Sequence, residues 1–163
     1  MELKIIEDAF FAAIAAIGFS SISRLPRRAY LLCAFIAALG HSTRYILMNL
    51  PSSGIHIFWA SLIAAFVIGM LAVFLSPMVR TPAEACFFPA LLPMIPGIYA
   101  YKAFGGLAAC MLDGSYESFR FYFYQFAQNA LVCVAVLGAM VVGATLPVFV
   151  FKKVSFRATR LPQ

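Results

Sequence analysis

Phe88-Pro89-Ala90-Leu91-Leu92-Pro93-Met94-Ile95-Pro96-Gly97-Ile98-Tyr99-Ala100-Tyr101-Lys102 is the stretch on which the fold turns. It is apolar enough to enter a bilayer, yet three prolines and a glycine deny it a continuous helix. Unpaired backbone is very costly in hydrocarbon. A broken segment is therefore tolerated at membrane depth only inside protein or beside a water-filled cavity. Half-helices that meet near the midplane are how transporters build substrate sites. The lysine five residues after Gly97 strengthens that expectation.

The rest of the chain fits the same setting. Of 163 residues 64% are hydrophobic and 11% charged, with a mean hydropathy of +0.95. A soluble domain of this size needs far more polar surface. The expected class is an all-α, multi-pass membrane protein forming one integral membrane domain over residues 1–163. Its net charge of +6 sits in short clusters between apolar spans. That pattern belongs to topology and anionic-lipid contact, and nucleic acid is excluded as a partner.

Five spans are expected, about 4–23, 29–50, 55–76, 83–111 and 119–151, each able to cross a hydrocarbon core of about 30 Å. Pro26, Pro51, Pro77 and Pro82 mark the turns. Arg24, Arg27, Arg28, Arg80, Lys152, Lys153, Arg157 and Arg160 fall on one side, and Lys4 and Arg120 on the other. This bias places the N-terminus outside and the C-terminus in the cytoplasm, which agrees with an odd span count. The first span is expected to stay in the mature protein, because its leader is acidic and the positive cluster follows it. The run Phe119 to Tyr124 fits an interfacial aromatic belt, with a substrate-facing lining as the alternative.

Polar groups inside these spans mark candidate sites. Asp8 and Glu7 fall about a turn inside the outer boundary, either as solvated interfacial acids or as a titratable entry to a pathway. Arg44 lies about 22 Å along the second span. It either snorkels to the surface or, with His41 three residues earlier, forms an inward-facing anion or relay site. Gly40 beside them allows close packing. The N-terminus of the half-helix at Gly97, with Lys102 a turn further on, offers a carboxylate site. The alternative there is a proline-kinked helix with Lys102 pointing to the interface. Gln125, Gln128 and Asn129 share a face of the last span, for interhelical bonding or for substrate. Gly138 and Gly143 are expected packing contacts, and His56 is expected alone in a loop. Cys33, Cys86, Cys110 and Cys133 lack disulfide or metal-ligand spacing and are expected to be buried, inert thiols. No catalytic constellation, metal set or cofactor motif stands out, so an enzyme is not expected. Without a P-loop, uphill transport needs an ion gradient or another subunit.

Asp8, the run Ala12 to Phe19, Pro26 with Arg28-Ala29, and Gly40-His41-Ser42-Thr43-Arg44 with Leu47-Met48 form a recognisable set. Trp59, Ser61, Ile95-Pro96-Gly97 within the Pro93 motif, Ala100-Tyr101 and Asn129 extend it. This set resembles the threonine/serine exporter family, in its small-subunit type known from two-component dicarboxylate (succinate) exporters. The resemblance implies secondary export of small carboxylates or hydroxy amino acids across the inner (plasma) membrane. Fused members carry a related five-span half and a cytoplasmic hydrolase-like domain ahead of this one. This chain is thus expected to work with a larger homologous subunit or with itself as a homo-oligomer. The expected substrate-binding residues are Pro93, Pro96, Gly97, Lys102, Arg44 and Asn129, with Asp8 and His41 coupling a proton. The competing reading is a non-transporting accessory subunit, in which the same charges are interhelical pairs.

Overall fold

The computed structural model describes residues 2–50, 54–112 and 115–152, which are helical apart from short turns. Six α-helices follow one another: α1 Glu2–Ile22, α2 Tyr30–Met48, α3 Ile57–Leu75, α4 Ala83–Leu91, α5 Gly97–Leu112 and α6 Tyr116–Val150. Among the described residues there is no strand. α1, α2, α3 and α6 are each long and apolar enough to cross a membrane. α4 and α5 pass the same test only as a pair, interrupted at Ile95-Pro96, which gives up to five spans. The expected all-α membrane fold with a broken fourth span is what the chain adopts. Pro51, expected to mark a turn, and Asp113, Lys153, Arg157 and Arg160 lie outside the described residues, as does the Glu2 side chain.

The described residues form two compact units, one of residues up to 94 together with those from 139 on, the other of residues 95–138. In the first unit α2 packs against α1, α3 and α4. The core is made of small residues: Ala12 and Ala16 on α1, Ala34, Ala37 and Gly40 on α2, and Ala60, Ala64, Ala65, Gly69 and Ala72 on α3. Small residues at three- and four-residue spacing let helix backbones approach, which substitutes for the hydrophobic drive that lipid removes. A Cβ on Gly40 would overlap the Ile68 side chain, and one on Gly69 would overlap the Ala144 carbonyl. Gly143 lies as close to the Leu62 carbonyl, as expected of a packing contact. Gly138, by contrast, has nothing within 4 Å of the place a Cβ would take, so the expectation that it is a packing contact is corrected. The reason is register: five residues separate the two glycines, which places them on different sides of α6.

Arg24 and Arg80 mark turns at one end of this unit. α1 closes with Arg24 in the left-handed region at φ 53°, and Leu25 N–H donates to the Ser20 carbonyl. The turn after α3 repeats the device: Arg80 has φ 50°, and Thr81 N–H donates to the Ser76 carbonyl. Each arginine is followed, two residues on, by the proline that opens the next helical segment. The two turns touch each other. Phe151, one residue before Lys152, lies with its ring 5.4 Å from that of Phe74 and tilted to it by 57°, at the same end of α3.

In the second unit α5 lies against the first part of α6. Ala103 and Gly106 are the buried residues of α5. A Cβ on Gly106 would stand 2.9 Å from the Phe126 nitrogen and 3.0 Å from the Tyr122 carbonyl oxygen. Cys110, one turn further along the same face, donates its thiol to the Phe119 carbonyl at 3.8 Å. The stripe 103–106–110 therefore fixes which face of α5 meets α6.

Candidate functional site

Two polar clusters interrupt the apolar interior, one in each unit. The first lies in the unit that ends at residue 94, where α4 gives way to the 3-10 turn Leu92–Met94. A continuing helix would bond the Pro93 and Met94 carbonyls to the N–H groups of residues 97 and 98. Gly97 N–H turns instead to the Ile95 carbonyl, at 2.8 Å. Unpaired carbonyls at membrane depth need other donors. α2 supplies them. His41 Nε2 lies 3.1 Å from the Pro93 oxygen, and Arg44 Nη1 donates to the Met94 oxygen at 2.5 Å. The two side chains reach the same place because three residues of helix put them on one face.

The other ring nitrogen of His41 meets α1: Nδ1 stands 2.6 Å from Asp8 Oδ2. Arg44 Nη2 is 3.4 Å from His41 Nε2, closing the cluster. The His41 side chain is 12% exposed and that of Asp8 34%, so the carboxylate is the member nearest an opening. Asp8 and Arg44 offset each other in charge, which lowers the cost of holding either away from water. α3 carries no ionisable side chain, and α4 carries Glu84 in its first turn and the buried Cys86 thiol.

The second cluster is a pocket of about 350 Å³ within the other unit. Tyr99 and Lys102 line it from α5, and Tyr124, Gln125, Gln128 and Asn129 from α6, with Phe121 and Val132 as apolar walls. The spacing 99–102–103–106 puts Lys102, itself exposed, beside the face that Ala103 and Gly106 turn toward α6. Asn129 Nδ2 donates to the Gln125 backbone carbonyl at 2.7 Å, leaving its side-chain oxygen as an acceptor. Among the described residues Lys102 forms no ion pair, and the pocket contains no carboxylate. Its chemistry is one cation among neutral donors and acceptors.

The expected site residues divide between these clusters. Asp8, His41, Arg44 and Pro93 come together, Pro93 through its backbone oxygen. Lys102 and Asn129 come together in the pocket, Pro96 lies in the break, and Gly97 opens α5 directly after it. Lys102 lines the pocket with the amides, and its side chain is exposed there. Gln125 and Gln128 line it too, whereas Asn129 bonds within its own helix. Sequence reasoning missed Tyr99, although it precedes Lys102 by three residues, whereas Tyr124 belongs to the run for which a substrate-facing lining is the alternative. It also missed the carbonyls of Pro93 and Met94, because backbone groups leave no mark in a sequence beyond the proline that frees them. His56 is not merely a loop residue: it caps α3, Nδ1 accepting from Phe58 N–H at 3.3 Å. Cys33 and Cys86 are buried as expected, while Cys110 and Cys133 are partly exposed. The hydroxyl of Ser61 is buried on α3 without a partner among the described residues.

Known proteins add to this geometry. The family model for the threonine/serine exporter ThrE matches residues 8–150. An uncharacterized protein of Haemophilus influenzae is 37% identical over 151 residues, which is 91% of this chain and 48% of that protein. The chain thus spans about half the length of that curated relative. No solved structure matches it.

Proposed function

The chain belongs to the threonine/serine exporter family, and from that premise we propose that it is a subunit of a secondary exporter of small carboxylates or hydroxy amino acids. Its substrates are threonine- and serine-like or succinate-like, its place is the inner membrane, and it works with a larger homologous chain or a second copy. The observation that carries the reading is the break in the fourth span, held open by His41 and Arg44 rather than healed by packing. A kink alone needs no charged clamp, and charges this deep are costly enough to mark a function. The half-length match supports a missing counterpart, because the relative has room for a second region as long as this one.

Within this reading Lys102 takes a carboxylate, Asn129 accepts from a hydroxyl or amine, and Asp8 and His41 handle the coupling proton. Pro96 and Gly97 supply the unwound backbone beside which substrate passes. Arg44 bonds Met94 and adjoins His41, so its part in anion binding is through its charge and its free Nε–H. Efflux of threonine, serine and succinate, measured from cells expressing the chain with its native partner, tests the reading. Lys102→Ala is expected to abolish efflux of the true substrate while membrane insertion is unchanged. Full efflux in both Lys102→Ala and Arg44→Ala would overturn the site assignment. Loss of complex assembly in both, with the partner still transporting alone, would favour the accessory-subunit reading. Purifying the native complex and identifying the accompanying chain tests the partner.

A further inference from the structure

We propose that His41 is a proton-binding positioning residue whose charge decides whether the Pro93 carbonyl, at the break in the fourth span, is held or released. The inference rests on the exporter reading for what the proton is used for, and deepens the role given there to Asp8 and His41.

His41 presents one nitrogen to the Asp8 carboxylate at 2.6 Å and the other to the Pro93 carbonyl at 3.1 Å. An ionised carboxylate and a carbonyl both only accept. Satisfying both takes a hydrogen on each ring nitrogen, which is the imidazolium form. A neutral ring has one hydrogen, and the ionised Asp8 keeps it on Nδ1. Nε2 then carries a lone pair. It can no longer bond the Pro93 oxygen, but it can accept from Arg44 Nη2, already 3.4 Å away. Nε2 therefore has two alternative partners, and the proton chooses between them. When the ring is charged, Pro93 is tied to α2. When it is neutral, Arg44 takes the ring, and the Pro93 oxygen is left to water or to a substrate donor. The proton taken up resides on Nε2.

The surroundings leave this choice to few groups. The charged and titratable groups facing His41 are Asp8 from α1 and Arg44 from α2. The 3-10 turn after α4 offers only the Pro93 and Met94 carbonyls. α3 carries no charged residue, and Glu84 lies at the far end of α4. Glu7 and Lys4 are exposed on α1. Met94 stays bonded to Arg44 Nη1 in both states, so the latch acts on one carbonyl.

The test is solid-state NMR of the full chain in lipid bilayers without substrate, titrated over about pH 5 to 8, where imidazole groups change charge. The chain carries His56→Asn, which retains a capping side chain and leaves one imidazole, and Met78→Leu, which leaves Pro93-Met94 as the sole Pro-Met pair for carbonyl labelling. The expected result is two protonated ring nitrogens at low pH. At high pH a bare Nε2 appears, and the Pro93 carbonyl signal moves with the same midpoint. In His41→Gln the carbonyl signal should not respond to pH. A neutral ring bearing its hydrogen on Nε2 would overturn the proposal, since the Pro93 bond would then persist with the proton on Asp8. A Pro93 signal that ignores the ring's titration would overturn it equally. In efflux assays His41→Gln should flatten the pH profile. Absence of any efflux from the unaltered complex would sink the exporter reading but leave the spectroscopic result standing.

Discussion

The cluster at the break and the pocket beside Lys102 are both polar islands in apolar helices, yet they are built on opposite plans. In the first, each charged group bonds another member: Asp8 meets His41, His41 meets Pro93, and Arg44 meets Met94. In the second, one ammonium and three amides face open space with no acid to answer them. A closed network positions backbone and can store a proton. An open one leaves its cation exposed. Of the residues expected for transport, Lys102 and Asn129 fall in the second unit, while Arg44 and Pro93 join the proton-coupling pair Asp8 and His41 in the first.

That division is most vulnerable at Arg44. Arg44→Met strips the charged donor from the Met94 carbonyl and removes a contact to His41, so the cost should be about 1–3 kcal/mol of stability. Denaturant unfolding in detergent, alongside efflux, should show both falling together. Arg44 acting only as a substrate ligand would instead lose efflux with stability intact. Next comes Gly106→Val in the other unit. The added methyl groups meet the backbone of Tyr122 and Phe126, and the same measurement should register a loss of about 1–3 kcal/mol from overpacking. The matching change Gly138→Val meets nothing within 4 Å at its Cβ and should be tolerated.

Lys102→Met probes the open plan of the pocket. Loss of a charged hydrogen bond to substrate amounts to about 1.5–3 kcal/mol, or roughly tenfold to a hundredfold in transport affinity. Stability should stay within about 0.5 kcal/mol, since no partner in the protein is orphaned. A large stability loss instead would show the pocket to be a closed network like the first. The smallest effect is expected at the turns where Arg24 and Arg80 hold left-handed backbone. Arg80→Gly relieves that strain and should stabilise by up to about 1 kcal/mol in thermal unfolding. A loss there would mean that the guanidinium itself makes a contact that matters.

Much of this is legible in the bare chain, and the exceptions share a cause. Pro93, Pro96 and Gly97 announce the break, because proline and glycine act on the backbone locally. His41 and Arg44 are readable as one face, because helical periodicity is a property of a single segment. Asp8 can be placed near a boundary by counting residues, but nothing in its own span points to His41, 33 positions away. Tyr99 looks like one more aromatic until the packing of Gly106 shows which side of α5 faces α6. Gly138 and Gly143 are indistinguishable as letters and differ only in what lies opposite.

The membrane class, the count of up to five spans, the interrupted fourth span and the gathering of arginines into short turns could all be read from the residues alone. They follow from composition, segment length and local backbone chemistry, which need no knowledge of neighbours. It took the packed chain to show that the freed carbonyls of Pro93 and Met94 are capped from α2, that His41 bridges Pro93 to Asp8, and that Lys102 faces amides. Such pairings depend on which helix faces meet, and periodicity assigns a residue to a face without naming the face opposite.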